Sequence, residues 1–177
     1  MFPYCSNMNH TLRILGIDPS LRACGWGIIE ARGLSLRHIA HGVIKPPVKA
    51  DLSVRLNVLF EALREVIEIH HPDSAAVEEA FMKNNAMSAL KLGHARAICL
   101  LAPAQAGLTV GEYSPRTIKK AVVGTGAADK AQVAAMMNVL MPGCGVKAGD
   151  AADALAIAVC HAQRVSHQAT LERRRAS

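Results

Sequence analysis

The chain has 177 residues, of which 51% are hydrophobic, and its formal net charge is +6 at pH 7. This hydrophobic content argues against a disordered chain, and the length suits one domain with a full core rather than two large lobes. No apolar run approaches the ~18 residues that a membrane helix needs, which argues against a membrane protein. The basic balance is compatible with a polyanionic partner but does not identify one.

The first part of the chain has the pattern of an antiparallel meander. A short apolar strand is predicted over 13–17, and the Asp-Pro-Ser turn at 18–20 ends it. A second strand is predicted over 25–30, a tight turn over 31–33 and a third strand over 35–45. Three strands joined by short links indicate antiparallel pairing.

The pattern then changes to helices that alternate with strands. Apolar residues recur at helical spacing over 52–70, which predicts a helix with one buried face. The next strand, over 74–78, is reached after a helix and should be parallel to the first strand. The further predicted elements are a strand over 109–113 and helices over 85–106, 115–122, 129–140 and 148–165. This order predicts an α/β fold: a five-stranded mixed sheet, three strands antiparallel and two parallel, with helices on both faces.

Four acidic residues stand at the ends of these predicted elements, although only 14 residues of the chain are Asp or Glu. Asp18 follows the first strand, Glu78 ends the fourth, and Asp150 and Asp153 share one face where the last helix begins. Carboxylates brought together resist ionising together unless a cation binds them. Hard oxygen ligands suit Mg²⁺, and a two-metal carboxylate site is a common centre for phosphodiester cleavage.

Each acidic residue taken alone has a simpler interpretation. Asp18 could serve only in a turn and Asp150 only as a helix cap, since Asp favours both places. Glu79 alternates to the other side of the strand from Glu78, and we interpret it as structural or solvent-facing. The presence of all four carboxylates at element ends favours a functional site.

Five segments spread along the chain form a recognisable series: LGIDP at 15–19 with GWG at 25–27, VEEAFMKNN at 77–85, SALKLGHAR at 88–96, the basic segment 119–126 with Lys130, and DAADALA at 150–156. In this order they resemble the motifs of the RuvC family of Holliday junction resolvases. The resemblance extends over residues 13–165, nearly the whole domain. The family commonly has Gly where this chain has Ser20, and the N-terminal extension lies outside the family pattern.

The resemblance implies an RNase H-like fold and an endonuclease that resolves four-way (Holliday) DNA junctions by paired symmetric nicks, in recombination and repair. It implies that Asp18, Glu78, Asp150 and Asp153 are catalytic and hold two Mg²⁺ ions, with Mn²⁺ as an alternative ion. Products would carry 5′-phosphate and 3′-hydroxyl ends. The implied partners are a second copy of the chain in a homodimer, a branch-migration motor and its junction-binding subunit. Neither a membrane nor a nucleotide is expected as a partner.

The resemblance and the charge pattern together indicate DNA contacts at Phe81, Lys83, Arg116, Lys119 and Lys130. An aromatic ring such as that of Phe81 can stack on an unpaired base, although burial in the core is an open alternative. The basic side chains suit phosphate contacts. A solvated surface lysine is their alternative, and we favour it for Lys120.

The ends of the chain are predicted to lie outside the nuclease domain at 13–165. Residues 1–12 form an extension without the apolar stretch of a signal peptide, and 166–177 form a basic tail for which disorder is one interpretation. The five cysteines show no C-x-x-C pair, which is typical of reduced thiols in a cytoplasmic protein. The eight histidines show no metal-type spacing, so we expect them at the surface or in supporting positions beside other functional residues.

Several alternatives stay open at this level. The small residues over 86–97 could form a dimer interface or could pack on the protein's own sheet. An acidic site of this kind could also belong to a nuclease for RNA–DNA hybrids, and the same fold could serve as a junction-binding module without catalysis. An actin-like ATPase also begins with Gly-x-Asp, but it needs two lobes and this chain has the length for one.

Overall fold

The computed structural model of the chain describes residues 11–79 and 86–176. The elements are β1 (Leu12–Asp18), β2 (Cys24–Arg32), β3 (Ser35–Ile44), α1 (Leu52–His70), β4 (Ser74–Glu78), α2 (Ala86–Gln105), β5 (Thr109–Tyr113), α3 (Pro115–Val123), α4 (Lys130–Leu140) and α5 (Asp150–Ala176). Among the helices described, none has the length and apolar character to cross a membrane.

The strands form one mixed sheet in the order β3-β2-β1-β4-β5. β2 pairs antiparallel with both β1 and β3, whereas β4 lies parallel to both β1 and β5. The parallel neighbours need crossover connections, which the helices α1 and α2 supply. This arrangement confirms the predicted α/β fold, including the parallel placement of β1 and β4.

The sheet separates two hydrophobic cores, one on each face. Helices α1 and α2 cover one face, and helices α3, α4 and α5 cover the other. Successive residues of a strand point to opposite faces, so Ile14 packs toward α5 and Leu15 packs toward α1. Both side chains are completely buried. The mixed sheet is therefore the middle layer of a three-layer domain.

The helix α5 lies close against β1 and β2 because glycines leave room for it. Gly16 of β1 pairs with Gly27 of β2, and both face α5. A Cβ atom at Gly16 would overlap the carbonyl oxygen of Ala154, and one at Gly25 would overlap that of Asp150. These contacts are with the helix backbone, which cannot rotate away as a side chain can. The glycines therefore set how deeply the first turns of α5 lie on the sheet.

The last helix extends further than the sequence pattern predicted. It runs through Ala176, whereas the apolar pattern indicated an end near Val165. The segment 166–176 contains neither Gly nor Pro and is rich in residues of good helix propensity, so no local signal stops the helix. Its Leu171 is 43% exposed, so packing does not explain the extension. The structure describes this basic tail as helix rather than as a disordered segment.

Candidate acidic metal centre

Three elements bring acidic side chains to one edge of the sheet. Asp18 ends β1 and Glu78 ends β4, and these neighbouring parallel strands finish side by side. Asp150 and Asp153 stand in the first turn of α5, where the helix dipole favours negative charge. The partner of Asp18 across the β1–β2 ladder is Gly25, whose missing side chain admits this turn of α5.

The carboxylates converge on a small cleft. One oxygen each of Asp18, Asp150 and Asp153 can be chosen so that all three atoms lie within 4.8 Å of one another. Glu78 lies outside this group of three, but it lines the same cleft of about 250 Å³ as Asp18 and Asp153. The structure therefore brings three predicted site residues together, and it places Glu78 in the wall of a cleft that Asp18 and Asp153 also line.

Burial in the cleft makes ionised carboxylates costly. Burial, followed by repulsion from the other three carboxylates, raises the pKa of Asp18 to about 8. Burial, followed by repulsion from Asp153, raises the pKa of Glu78 to about 7. Without a metal, the centre therefore retains protons at neutral pH. A divalent cation would replace these protons and remove the repulsion, so the donor set fits a hard metal ion.

These shifts predict a pH-dependent stability difference between the wild type and Asp18→Asn. Above about pH 4, Asp18 is ionised in the unfolded chain but protonated in the fold, so stability falls as pH rises toward about 8. We therefore expect the free energy of unfolding of metal-free Asp18→Asn to rise relative to that of the wild type across this window, by about 1–3 kcal/mol at pH 8. Denaturant unfolding in EDTA at several pH values measures the difference. Exposed Asp51 makes no side-chain cap hydrogen bond and supplies a control, Asp51→Asn. A pH-independent difference would contradict the prediction.

A lysine already contacts the acidic cluster. The Nζ atom of Lys130 lies 2.9 Å from Oδ2 of Asp153, and this contact raises the pKa of Lys130. Lys130 begins α4, where Asp129 and Gln132 form a capping box that fixes the helix start. Lys119 of α3 lines the same cleft. Two of the predicted DNA contacts thus lie beside the carboxylates, where positive charge would meet a phosphate.

Among the described residues, one other predicted DNA contact lies apart from this cleft. Arg116 lines a second groove, between α3 and α5, together with Lys120 and Arg164. Phe81 and Lys83 lie outside the described residues, so their predicted roles stay predictions. The helix that carries Arg116 and Lys119 begins as predicted, with the Ser114 side chain accepting a hydrogen bond from the Thr117 backbone.

A chain of polar groups between α5 and the sheet was not predicted from the sequence. The Tyr113 hydroxyl lies 2.8 Å from Nδ1 of His161, and Nε2 of His161 lies 3.2 Å from the Ser74 hydroxyl. Burial lowers the pKa of His161 to about 4, so its ring is neutral at physiological pH. These hydrogen-bonded side chains link α5 to β4 and β5. Their sequence signal was a histidine on the otherwise apolar stretch of the last helix.

Comparison with models of known protein families identifies the family of this chain. The family model described as "Crossover junction endodeoxyribonuclease RuvC" matches residues 14–161, most of the chain. The chain belongs to the RuvC family. The RuvC of Maricaulis maris is 62% identical over 152 residues, which cover 86% of this chain and 91% of that protein. The RuvC of Caulobacter vibrioides is 59% identical over 150 residues, which cover 85% of this chain and 89% of that protein.

Solved structures show that the fold of the RuvC family is also that of this chain. The structure titled "T. thermophilus RuvC in complex with Holliday junction substrate" is 32% identical, with a TM-score of 0.81. The match covers 89% of this chain and 97% of that RuvC. The yeast mitochondrial Holliday junction resolvase, at 14% identity and a TM-score of 0.68, shares the fold. The predicted resemblance to the RuvC family is thus confirmed.

Proposed function

We propose that this RuvC-family protein is an endonuclease that resolves four-way DNA junctions by paired symmetric nicks in recombination and repair. The observation that carries the proposal is one cleft in which Asp18, Glu78 and Asp153 lie beside the cationic side chains of Lys119 and Lys130. Acidic groups gathered for a metal, with lysines beside them for a phosphate, suit phosphodiester hydrolysis. The RuvC relationship supports the choice of a junction over other nucleic acids.

The proposed catalytic set is Asp18, Glu78, Asp150 and Asp153. Their all-oxygen donor set and their mutual repulsion support a site for two Mg²⁺ ions, with Mn²⁺ as an alternative. When bound, such ions would activate a water and stabilise the leaving 3′ oxygen, which would leave 5′-phosphate and 3′-hydroxyl ends.

The protein's own residues would prepare the site for the DNA backbone. The ends of β1 and β4 position Asp18 and Glu78, and the close packing of α5 on Gly25 positions Asp150. Lys130 is paired with Asp153 in the free protein, and a bound phosphate would compete for its ammonium group. Lys119 would bind the same phosphate, because it lines the same cleft. Held in this way, the scissile phosphate would be oriented beside the carboxylates once Lys130 exchanges its contact with Asp153 for the phosphate.

A homodimer would supply two such centres to a junction, whose own symmetry is approximately two-fold. The helix α2 offers a surface for it, since Leu90, Ala97 and Leu101 are exposed at spacings that place them along one side of the helix. The opposite side, with Ala95 and Cys99, is fully buried in the protein's own core. The small-residue segment therefore packs on its own domain on one side and is available for a partner on the other. A branch-migration motor and its junction-binding subunit complete the proposed partners.

We assign the nuclease domain to residues 13–165, with 1–12 and 166–177 outside it. The described cysteines at 24, 99, 144 and 160 are buried free thiols, which supports a reducing compartment such as the cytoplasm.

A comparison of substrates tests the proposed function. The protein is incubated with Mg²⁺ and a mobile four-way junction, a linear duplex of the same sequence, or an RNA–DNA hybrid. We expect paired, ligatable nicks in the junction and little cleavage of the other two. Cleavage confined to the hybrid would support a ribonuclease instead. Tight junction binding without cleavage in any divalent metal would support a binding module.

The ion pair between Lys130 and Asp153 gives a further prediction. We expect Lys130→Met to slow junction nicking about tenfold to a hundredfold, because the phosphate loses a cation at the cleft. Single-turnover nicking at saturating protein measures the rate apart from binding. Lys120→Met is the matched control, since Lys120 lines the other groove and should change the rate little. Equal effects of the two substitutions would contradict the assignment of Lys130.

A further inference from the structure

Two histidines of the edge strand β3 point to the same face of the sheet although they are three residues apart. In a regular strand, His38 and His41 would point to opposite faces. The pairing of β3 with β2 shifts register between Ile28 and Ile29, which indicates a β-bulge. The bulge brings the two rings together, and Nε2 of His38 lies 2.8 Å from Nδ1 of His41.

A cysteine from a distant part of the chain meets this pair. The Sγ atom of Cys144 and one ring nitrogen of each histidine all lie within 4.8 Å of one another. Cys144 stands in the connection between α4 and α5 and is 6% exposed. Its backbone N–H donates to the Met141 carbonyl at 3.1 Å, and the Asn138 side chain donates to the Val146 carbonyl at 2.9 Å. The connection is therefore held in place by the protein's own hydrogen bonds.

We propose that His38, His41 and Cys144 form a second metal site, separate from the acidic centre, for a borderline-soft divalent ion of the Zn²⁺ type. Two imidazole nitrogens and a thiolate sulfur are preferred ligands of such an ion, whereas Mg²⁺ prefers oxygen. A solvent molecule would complete a four-coordinate site, because both histidines are partly exposed.

The distance between the two histidine nitrogens is close to what zinc needs, and the Cys144 sulfur lies within 4.8 Å of a nitrogen of each ring. Tetrahedral bonds of about 2.0–2.3 Å place neighbouring ligand atoms about 3.3–3.7 Å apart. The histidine nitrogens, now 2.8 Å apart in a hydrogen bond, would separate by about half an ångström. Burial and the neighbouring His41 lower the pKa of His38, which favours the neutral ring that a metal requires. Rotation of two partly exposed rings is a small adjustment.

The proposed site would link an edge strand to the connection that leads into the acidic centre. β3 lies at one end of the sheet, and the segment after Cys144 ends at Asp150. A bound ion would tie the two together across the face that α5 covers. Its role would be structural, since the ion would hold the approach to the first turn of α5 rather than touch the DNA.

Zinc binding by the full chain tests the proposal. Protein stripped with EDTA is titrated with Zn²⁺ alone in a competition assay with a chromophoric chelator, with and without millimolar Mg²⁺. We expect one Zn²⁺ per chain that Mg²⁺ does not displace. Either Cys144→Ser or His41→Ala should weaken this binding by at least about tenfold. Replacement by Co²⁺ should give a thiolate-to-cobalt charge-transfer band that Cys144→Ser removes.

Matched controls separate this site from other ligands of the chain. Cys160→Ser removes another buried thiol, Asp18→Asn weakens the acidic centre, and Cys5→Ser removes the thiol of the N-terminal segment. All three should keep the wild-type zinc affinity. The proposal is overturned if the wild type binds no zinc, or if both Cys144→Ser and His41→Ala bind it as the wild type does. Loss of zinc in Asp18→Asn or Cys5→Ser would likewise overturn it. Circular dichroism confirms that each variant is folded.

Discussion

Asp18→Asn is expected to abolish junction nicking while the protein still folds and still binds the junction. The substitution keeps the shape of the side chain but removes its negative charge from the centre of the acidic cluster. A metal ion would then lose a ligand that three other carboxylates surround. We expect the single-turnover nicking rate to fall by at least about a thousandfold.

Two measurements separate this loss of chemistry from a loss of structure. A mobility-shift assay in EDTA reports junction binding, and thermal unfolding reports stability. We expect Asp18→Asn to bind as well as the wild type and to unfold at an equal or higher temperature when metal is absent, since burial raises the pKa of Asp18. Asp51→Asn, at an exposed position before α1, should nick normally. A nicking rate for Asp18→Asn within about tenfold of the wild type would contradict the proposed role.

Gly25→Ala is expected to damage both stability and catalysis through a single methyl group. The new Cβ atom would overlap the carbonyl group of Asp150, and the backbone there can yield only if α5 or β2 moves. Such overpacking costs about 1–3 kcal/mol of unfolding free energy. Because Asp150 and Asp153 stand on the displaced turn, we expect nicking to fall by about a hundredfold. Denaturant unfolding and single-turnover nicking of the purified variant measure the two effects.

The neighbouring glycine on the same strand supplies the control. A Cβ at Gly27 would meet mainly the side chain of Leu155, which can shift within the core. Gly27→Ala should therefore be destabilising, but it should leave the first turn of α5 in place and retain most of the nicking rate. Equal losses of nicking in Gly25→Ala and Gly27→Ala would contradict the inference that close packing of α5 on Gly25 positions the carboxylates.

Local patterns were sufficient to predict most of the fold and the edge of the sheet at which the acidic residues lie. The strand that ends at Asp18 and the one that ends at Glu78 are short apolar runs, and each run is marked by its own turn or helix signals. The crossover rule then makes these two strands parallel, so their ends meet at one edge. The end of α5 was misplaced near Val165 because the apolar pattern fades there, although no local signal stops the helix before Ala176.

Other features depend on contacts between distant segments and left no usable local pattern. His38 and His41 have a spacing that points them apart in a regular strand, and only the register shift against β2 brings them together. Cys144 joins them from more than a hundred residues away. Arg116 lines the groove between α3 and α5, whereas Lys119 lines the acidic cleft. This difference depends on how α3 packs on α5, so the charge of the two residues could not predict it.

The metal dependence of nicking is tested with a complex of the protein and a doubly labelled four-way junction that is formed in EDTA. Excess Mg²⁺ is then added, and nicks on the two symmetry-related strands are followed in time. We expect no nicking before Mg²⁺ is added, paired nicks at related positions afterwards, and none with Asp18→Asn. Nicking in EDTA, or a stable complex that Mg²⁺ and Mn²⁺ both leave intact, would contradict a metal-dependent nuclease centred on these carboxylates.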